Sequence, residues 1–105
     1  QRNAYIDLDL QQLDICRGIF SLSVCLNRIT KLDLYKNRIS DKECELLANN
    51  LKNNHSVVVL NLRLNLIEDA GAKALGEMLM YNTTLEELDL SGNGYEIIKK
   101  NFYIF

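Results

Sequence analysis

Little in this 105-residue chain offers chemistry: it has one histidine, three cysteines, no tryptophan and no glycine-rich phosphate loop. His55 falls in a polar turn, where a solvated surface role is expected rather than that of a general base. No serine, cysteine or carboxylate stands at motif spacing from a partner, so no catalytic residue, cofactor or metal site is expected and the chain reads as a non-enzyme. Cys16, Cys25 and Cys44 cannot all pair and show no CxxC spacing, which argues against a disulfide scaffold or zinc site. They read as small buried hydrophobes in a reducing compartment. An excess of positive charge is also missing: 12 basic side chains face 14 acidic ones, for a net −2, so no nucleic-acid partner is expected. Apolar runs such as Val57 to Leu60 fall far below the ~20 residues that span a bilayer, and no secretory signal opens the chain. The expectation is a soluble, cytoplasmic protein with no membrane partner. The sequence starts at Gln1 rather than Met, which leaves open whether it is a fragment of a longer array.

What is present is a repeat. RITKLDLYKNRIS, from Arg28 to Ser40, aligns with SVVVLNLRLNLIE, from Ser56 to Glu68, and with TLEELDLSGNGYE, from Thr84 to Glu96, always 28 residues apart. The alignment superimposes Leu32, Leu60 and Leu88, then Leu34, Leu62 and Leu90, then Asn37, Asn65 and Asn93. Leucines two apart send apolar side chains to one face and variable residues to the other, as in a short parallel strand stacked on its neighbours. Where the chain then bends away, an amide can both accept from and donate to the backbone of adjacent turns, so Asn37, Asn65 and Asn93 are expected to form a buried asparagine ladder.

A helix follows each ladder position. Ser40-Asp41 and Glu68-Asp69 look like helix starts, with acid placed at the positive end of the dipole. Leu47 and Leu51, or Ala72, Leu75 and Leu79, then supply spacing near one helical turn. Gly71 is expected to allow close packing against the neighbouring repeat. Asn54-His55-Ser56 and Asn82-Thr83-Thr84 both satisfy N-x-[ST], yet they recur at one repeat position and read as turn chemistry rather than glycosylation.

The outer units are less regular. Tyr5 to Leu10 looks like a strand and Ile15 to Leu26 like a first helix, but Leu13 holds the position occupied elsewhere by asparagine. Glu96 to Phe105 begins a fourth helix and stops as an apolar tail, which reads as a truncated array or as an irregular cap. The expected fold is α/β: one leucine-rich-repeat solenoid domain over 1–105, with short parallel strands on the concave face and helices on the convex face. It would comprise about 3.5–4 repeats, near 5–28, 29–56, 57–84 and an incomplete 85–105.

In such a solenoid the outward strand residues form three columns. Asp7, Lys31, Val59 and Glu87 make the first, Asp9, Asp33, Asn61 and Asp89 the second, and Gln11, Tyr35, Arg63 and Ser91 the third. Five carboxylates face Lys31 and Arg63, so the face is net acidic and suits a protein partner with a basic surface, in a larger complex. Tyr35 and Arg63 are the expected anchors. Repulsion along Asp9, Asp33 and Asp89 would be relieved by such a partner. The same residues could instead simply solubilise the sheet.

The unit LDLYKNRISDKECELLANNL, with its full helix, resembles the ribonuclease-inhibitor-like class of leucine-rich repeats over about Arg28 to Tyr95. Within it, LNLRLNLIEDAGAKAL, from Leu60 to Leu75, is similar to a repeat of the leucine-rich subunits of the axonemal nexin-dynein regulatory complex. Asn61, Arg63, Asn65, Ile67, Glu68, Asp69, Gly71, Ala74 and Leu75 match that family's pattern. The resemblance implies a cytoskeletal scaffold in the axoneme of a cilium or flagellum, linking doublet microtubules and restraining dynein. An alternative in the same repeat class is an enzyme regulator such as a GTPase-activating protein, for which Arg38, after Asn37, is the candidate arginine. Ribonuclease inhibition is disfavoured by three cysteines, no tryptophan and the short array.

Overall fold

The computed structural model describes residues 7–9, 26 and 29–94. The expected first helix, its Cys16 and Cys25, the positions Leu13 and Gln11, and the tail after Gly94 lie outside the described residues.

Four three-residue strands form one parallel sheet in chain order: β1 (Asp7–Asp9), β2 (Lys31–Asp33), β3 (Val59–Asn61) and β4 (Glu87–Asp89). Helix α1 (Asp41–Leu51) connects β2 to β3, and α2 (Asp69–Leu79) connects β3 to β4. Parallel neighbours need such a crossover, because a tight hairpin cannot return the chain in the same direction. The register is that of the 28-residue offset: Lys31, Val59 and Glu87 align, as do Leu32, Leu60 and Leu88, and Asp33, Asn61 and Asp89. β1 joins with Asp7 opposite Lys31, Leu8 opposite Leu32 and Asp9 opposite Asp33.

The core lies between sheet and helices. Leu32, Leu34, Leu60, Leu62, Leu88 and Leu90 are buried from the sheet side, while Cys44, Leu47, Leu51, Ala72, Leu75 and Met78 close it from the helices. Ile39 and Ile67, just past the ladder asparagines, are fully enclosed. Leu79, expected among the inward helix positions, is only partly buried, and Met78 takes the enclosed place.

Both helix starts follow their sequence signals. Ser40 is the N-cap of α1, and Glu43 Oε1 accepts from the Ser40 backbone N–H at 3.1 Å and from its hydroxyl. That hydrogen bond from the Ser40 side chain, opposed by partial burial, holds the Glu43 carboxyl below its ordinary value. The start of α2 is held from the preceding unit: Asp41 Oδ1 accepts from Glu68 N at 2.7 Å and Gly71 N at 2.9 Å. A Cβ on Gly71 would fall 2.7 Å from that oxygen and 2.9 Å from Ile67 Cγ2, so the expected close packing is a contact between successive units. Cys44 Sγ donates to Gly71 O at 3.6 Å in the same seam, and burial followed by the charge of Asp41 pushes the thiol up to about 12.

Candidate protein-interaction face

Three asparagine-bearing positions order the loops that leave the sheet. Asn65 Oδ1 accepts from Asn37 N and Ile39 N, both at 2.9 Å, while its Nδ2 donates to Leu34 O and Leu62 O, both at 3.0 Å. Asn93 repeats the pattern one unit on, accepting from Ile67 N and donating to Leu62 O and Leu90 O. Asn37, buried like Asn65, donates from its Nδ2 to Tyr35 O. Each amide thus bridges its own loop and, for Asn65 and Asn93, the loop before it.

A second ladder runs along the opposite edge. Asn54 Nδ2 donates to Leu26 O, and Asn82 Nδ2 donates to Leu51 O and Asn54 O. Each also caps its own turn: Asn54 Oδ1 accepts from Ser56 N and Val57 N, and Asn82 Oδ1 from Thr84 N and Leu85 N. Sequence reasoning gave these residues turn chemistry and missed the coupling between units, although their 28-residue spacing was the available signal.

The outward strand positions meet as columns. Lys31, Val59 and Glu87 share one register line with Asp7, while Asp33, Asn61 and Asp89 share the next with Asp9. The second line is more constrained than charge counting suggested. Asp33 Oδ1 accepts from Tyr35 N at 3.1 Å, Asn61 Oδ1 from Arg63 N at 3.0 Å, and Asp89 Oδ1 from Ser91 N at 3.0 Å. Asn61 Nδ2 also donates to Asp33 Oδ1 at 3.1 Å, and the Ser91 hydroxyl donates to Asp89 Oδ1. Asn61 therefore stands between Asp33 and Asp89, so the repulsion expected along this line is interrupted there, and each side chain caps the turn after its strand. Tyr35 is half-buried with Lys36 Nζ 5.4 Å from its ring centroid, whereas Arg63 and Ser91 are exposed.

Arg38 lies exposed on the loop after β2 with φ of 58°. His55 is exposed at the turn that follows α1. Among the described residues no group of three or more His, Cys, Asp or Glu side chains could hold a metal, and no helix is long and apolar enough to cross a membrane. On the helix side, a shallow groove of about 760 Å³ runs between α1 and α2 over Ala48, Ala70 and Ala74. Lys52 Nζ sits 4.3 Å over the Tyr81 ring at one end of it.

Parallel strands joined by helices, with amide-laddered loops, define a small leucine-rich-repeat-type α/β domain. A family model described as Leucine Rich repeat matches residues 53–76 and 81–94. The chain is 34% identical over 93 residues to NACHT, LRR and PYD domains-containing protein 14 of Mus musculus, a match over 83% of this chain and 9% of that protein's length. A solved structure titled Leiomodin-1 Actin-Binding Site 2 superimposes with a TM-score of 0.72 at 22% identity, covering 87% of this chain and 53% of that one. The chain thus spans only part of both relatives, and the second likeness concerns the fold alone. Leucine-rich-repeat domains are in general non-catalytic interaction domains, which makes protein–protein binding the function class of the fold.

Proposed function

We propose that the chain is a non-catalytic interaction module, a solenoid of about 3.5–4 leucine-rich repeats, whose strand face receives a protein partner with a basic surface. The observation that carries this reading is the in-register sheet, which gathers sequence-distant Asp7, Asp9, Lys31, Asp33, Glu87 and Asp89 onto two adjacent lines. Turn capping does not neutralise Asp33 and Asp89, so the face keeps an excess of carboxylates over Lys31 and Arg63. Tyr35, Asn61, Arg63 and Ser91 supply hydrogen-bonding and aromatic contacts at its edge, residue types that anchor interfaces in the case of Tyr and Arg. Cytoplasmic location within a larger complex is part of the proposal. Its narrowest form is a scaffold of the ciliary axoneme that links doublet microtubules and regulates dynein, supported by the resemblance of Leu60 to Leu75.

Two measurements test the two levels. Backbone-amide NMR titration with a lysine-rich peptide should perturb β2, β3 and β4 in a salt-sensitive manner, with loss in Glu87→Lys. Perturbation confined to α1 and α2 would remove the strand face from consideration. Proximity labelling in ciliated cells should enrich doublet-microtubule and dynein-regulatory neighbours, and a neighbourhood without them would end the axonemal form while leaving the interaction module intact.

A further inference from the structure

The loops that climb from the strands to the helices differ from the sheet in charge and in polarity. Tyr35 to Ser40, Arg63 to Glu68 and Ser91 to Gly94 contain Lys36, Arg38 and Arg63 against one carboxylate, Glu68. The nearby acids keep their charge but are held by local bonds: Asp33 and Asp89 accept from turn N–H groups, Asp41 from Glu68 N and Gly71 N, and Glu43 from Ser40. Glu68, beside Gly94 at the far end, and the adjacent Asp69 are exposed acids of this edge.

Two leucines stand in this basic setting. Leu64 is 38% and Leu66 57% exposed, although their neighbours Ile67 and Leu62 are fully buried. Leu64 also has φ of 57°, a left-handed conformation unfavourable for an L side chain. The equivalent positions carry Lys36, with φ of 58°, and Gly92, with φ of 75°. A backbone geometry that suits glycine or asparagine thus carries a leucine that is only partly covered. Gly92 allows it, since a Cβ there would lie 2.4 Å from Leu64 Cδ2.

The edge is also rigidly built. Lys36 N donates to Arg63 O, Leu64 N to Ser91 O and Leu66 N to Ile39 O, while the asparagine ladder fixes the loops from behind. A backbone held in this way loses little freedom on binding.

We infer that Lys36, Arg63, Leu64 and Leu66, flanked by the Tyr35 ring, form a docking lip for an acidic, extended segment of a partner protein that carries apolar side chains. The cations pair with its carboxylates, and the two leucines receive its apolar groups. The lip shares Tyr35 and Arg63 with the edge of the strand face but selects the opposite charge from the aspartate lines.

The test uses fluorescence anisotropy of a labelled glutamate-rich peptide containing one leucine and one phenylalanine, titrated with the 105-residue chain at low and physiological salt. Saturable binding is expected, weakened about tenfold or more by Lys36→Glu and by the pair Leu64→Asn with Leu66→Asn. Because asparagine accepts the left-handed geometry, Leu64→Asn should leave the melting temperature unchanged or raised, which separates lost docking from lost folding. Val59→Thr on the strand face should leave peptide binding unchanged, and the leucine-to-asparagine pair should leave any lysine-rich-peptide binding unchanged. The inference is overturned by absence of saturable binding, by full retention in the leucine-to-asparagine pair, or by an equal loss in Val59→Thr, which would move the peptide onto the sheet.

Discussion

Replacing Asn65 by alanine should be among the most damaging single changes away from the leucine core. The amide makes two acceptor bonds, to Asn37 N and Ile39 N, and two donor bonds at 3.0 Å, to Leu34 O and Leu62 O, and the residue is 5% exposed. Leu62 O retains a donor in Asn93 Nδ2, so the main damage falls on the two N–H groups and Leu34 O. A buried polar group left unpaired costs about 1–3 kcal/mol, which puts Asn65→Ala at about 3–5 kcal/mol once some water entry is allowed. Against the roughly 5–15 kcal/mol of a typical domain, that is a large share. With a urea dependence of about 2 kcal/mol per molar, the unfolding midpoint should fall by about 2 M, read by far-ultraviolet circular dichroism. Asn50→Ala is the control, because its exposed amide donates only to Leu46 O within α1 and alanine favours the helix. If Asn65→Ala lies within about 1 kcal/mol of this control, the ladder does not hold the loops in the manner described.

Leu62→Ala deletes a fully buried strand side chain and should cost about 2–5 kcal/mol in the same urea assay, whereas a change below about 0.5 kcal/mol would mean that the sheet faces are inverted. Gly71→Ala should destabilise by about 1–2 kcal/mol, since the new methyl displaces Asp41 Oδ1 from the two N–H groups it accepts, and a cycle with Asp41→Ala should show strong coupling. Glu43 has a folded pKa below its ordinary 4.5, so its contribution is complete above that value and fades as pH falls through the depressed one. Glu43→Gln should accordingly show a flatter fall of stability with acid, measured as urea midpoints across that range, and an unchanged slope would argue against the Ser40 hydrogen bond. Arg38→Ala should leave GTPase turnover by a panel of small GTPases unaltered in the presence of the chain, and any Arg38-dependent acceleration would favour the enzyme-regulator alternative.

The strand, loop and helix order of the two central units was legible because each level of pattern agreed. Leucines at Leu60 and Leu62 demanded a strand, Asn65 a bend, and Ala72 and Leu75 a helical face, all within one stretch. Relations between units were harder to read. Nothing in the letters DKECE shows that Asp41 reaches forward to Glu68 N and Gly71 N, because that contact depends on how α1 and α2 come together. The strand-face aspartates were read as free charge for a similar reason. An aspartate two residues before a turn N–H has a local partner before any binding partner arrives, and at Asp33, Asn61 and Asp89 the structure uses it.

That comparison separates positions by what the repeat demands of them. Where equivalent positions keep the same chemistry, they bond within the solenoid: Asp33, Asn61 and Asp89 cap turns, Asn65 and Asn93 bridge loops, and Asn54 and Asn82 join units at the other edge. Where equivalent positions diverge, the repeat does not require one side-chain type. Lys31, Val59 and Glu87 share one register line, and Lys36, Leu64 and Gly92 share one left-handed turn geometry. A fold that repeats its backbone every 28 residues cannot address a specific partner with the residues that maintain the repeat, since those recur in each unit. Specificity must reside in the divergent positions, and on this chain they concentrate on the first strand line and on the loop lip beyond the turn caps.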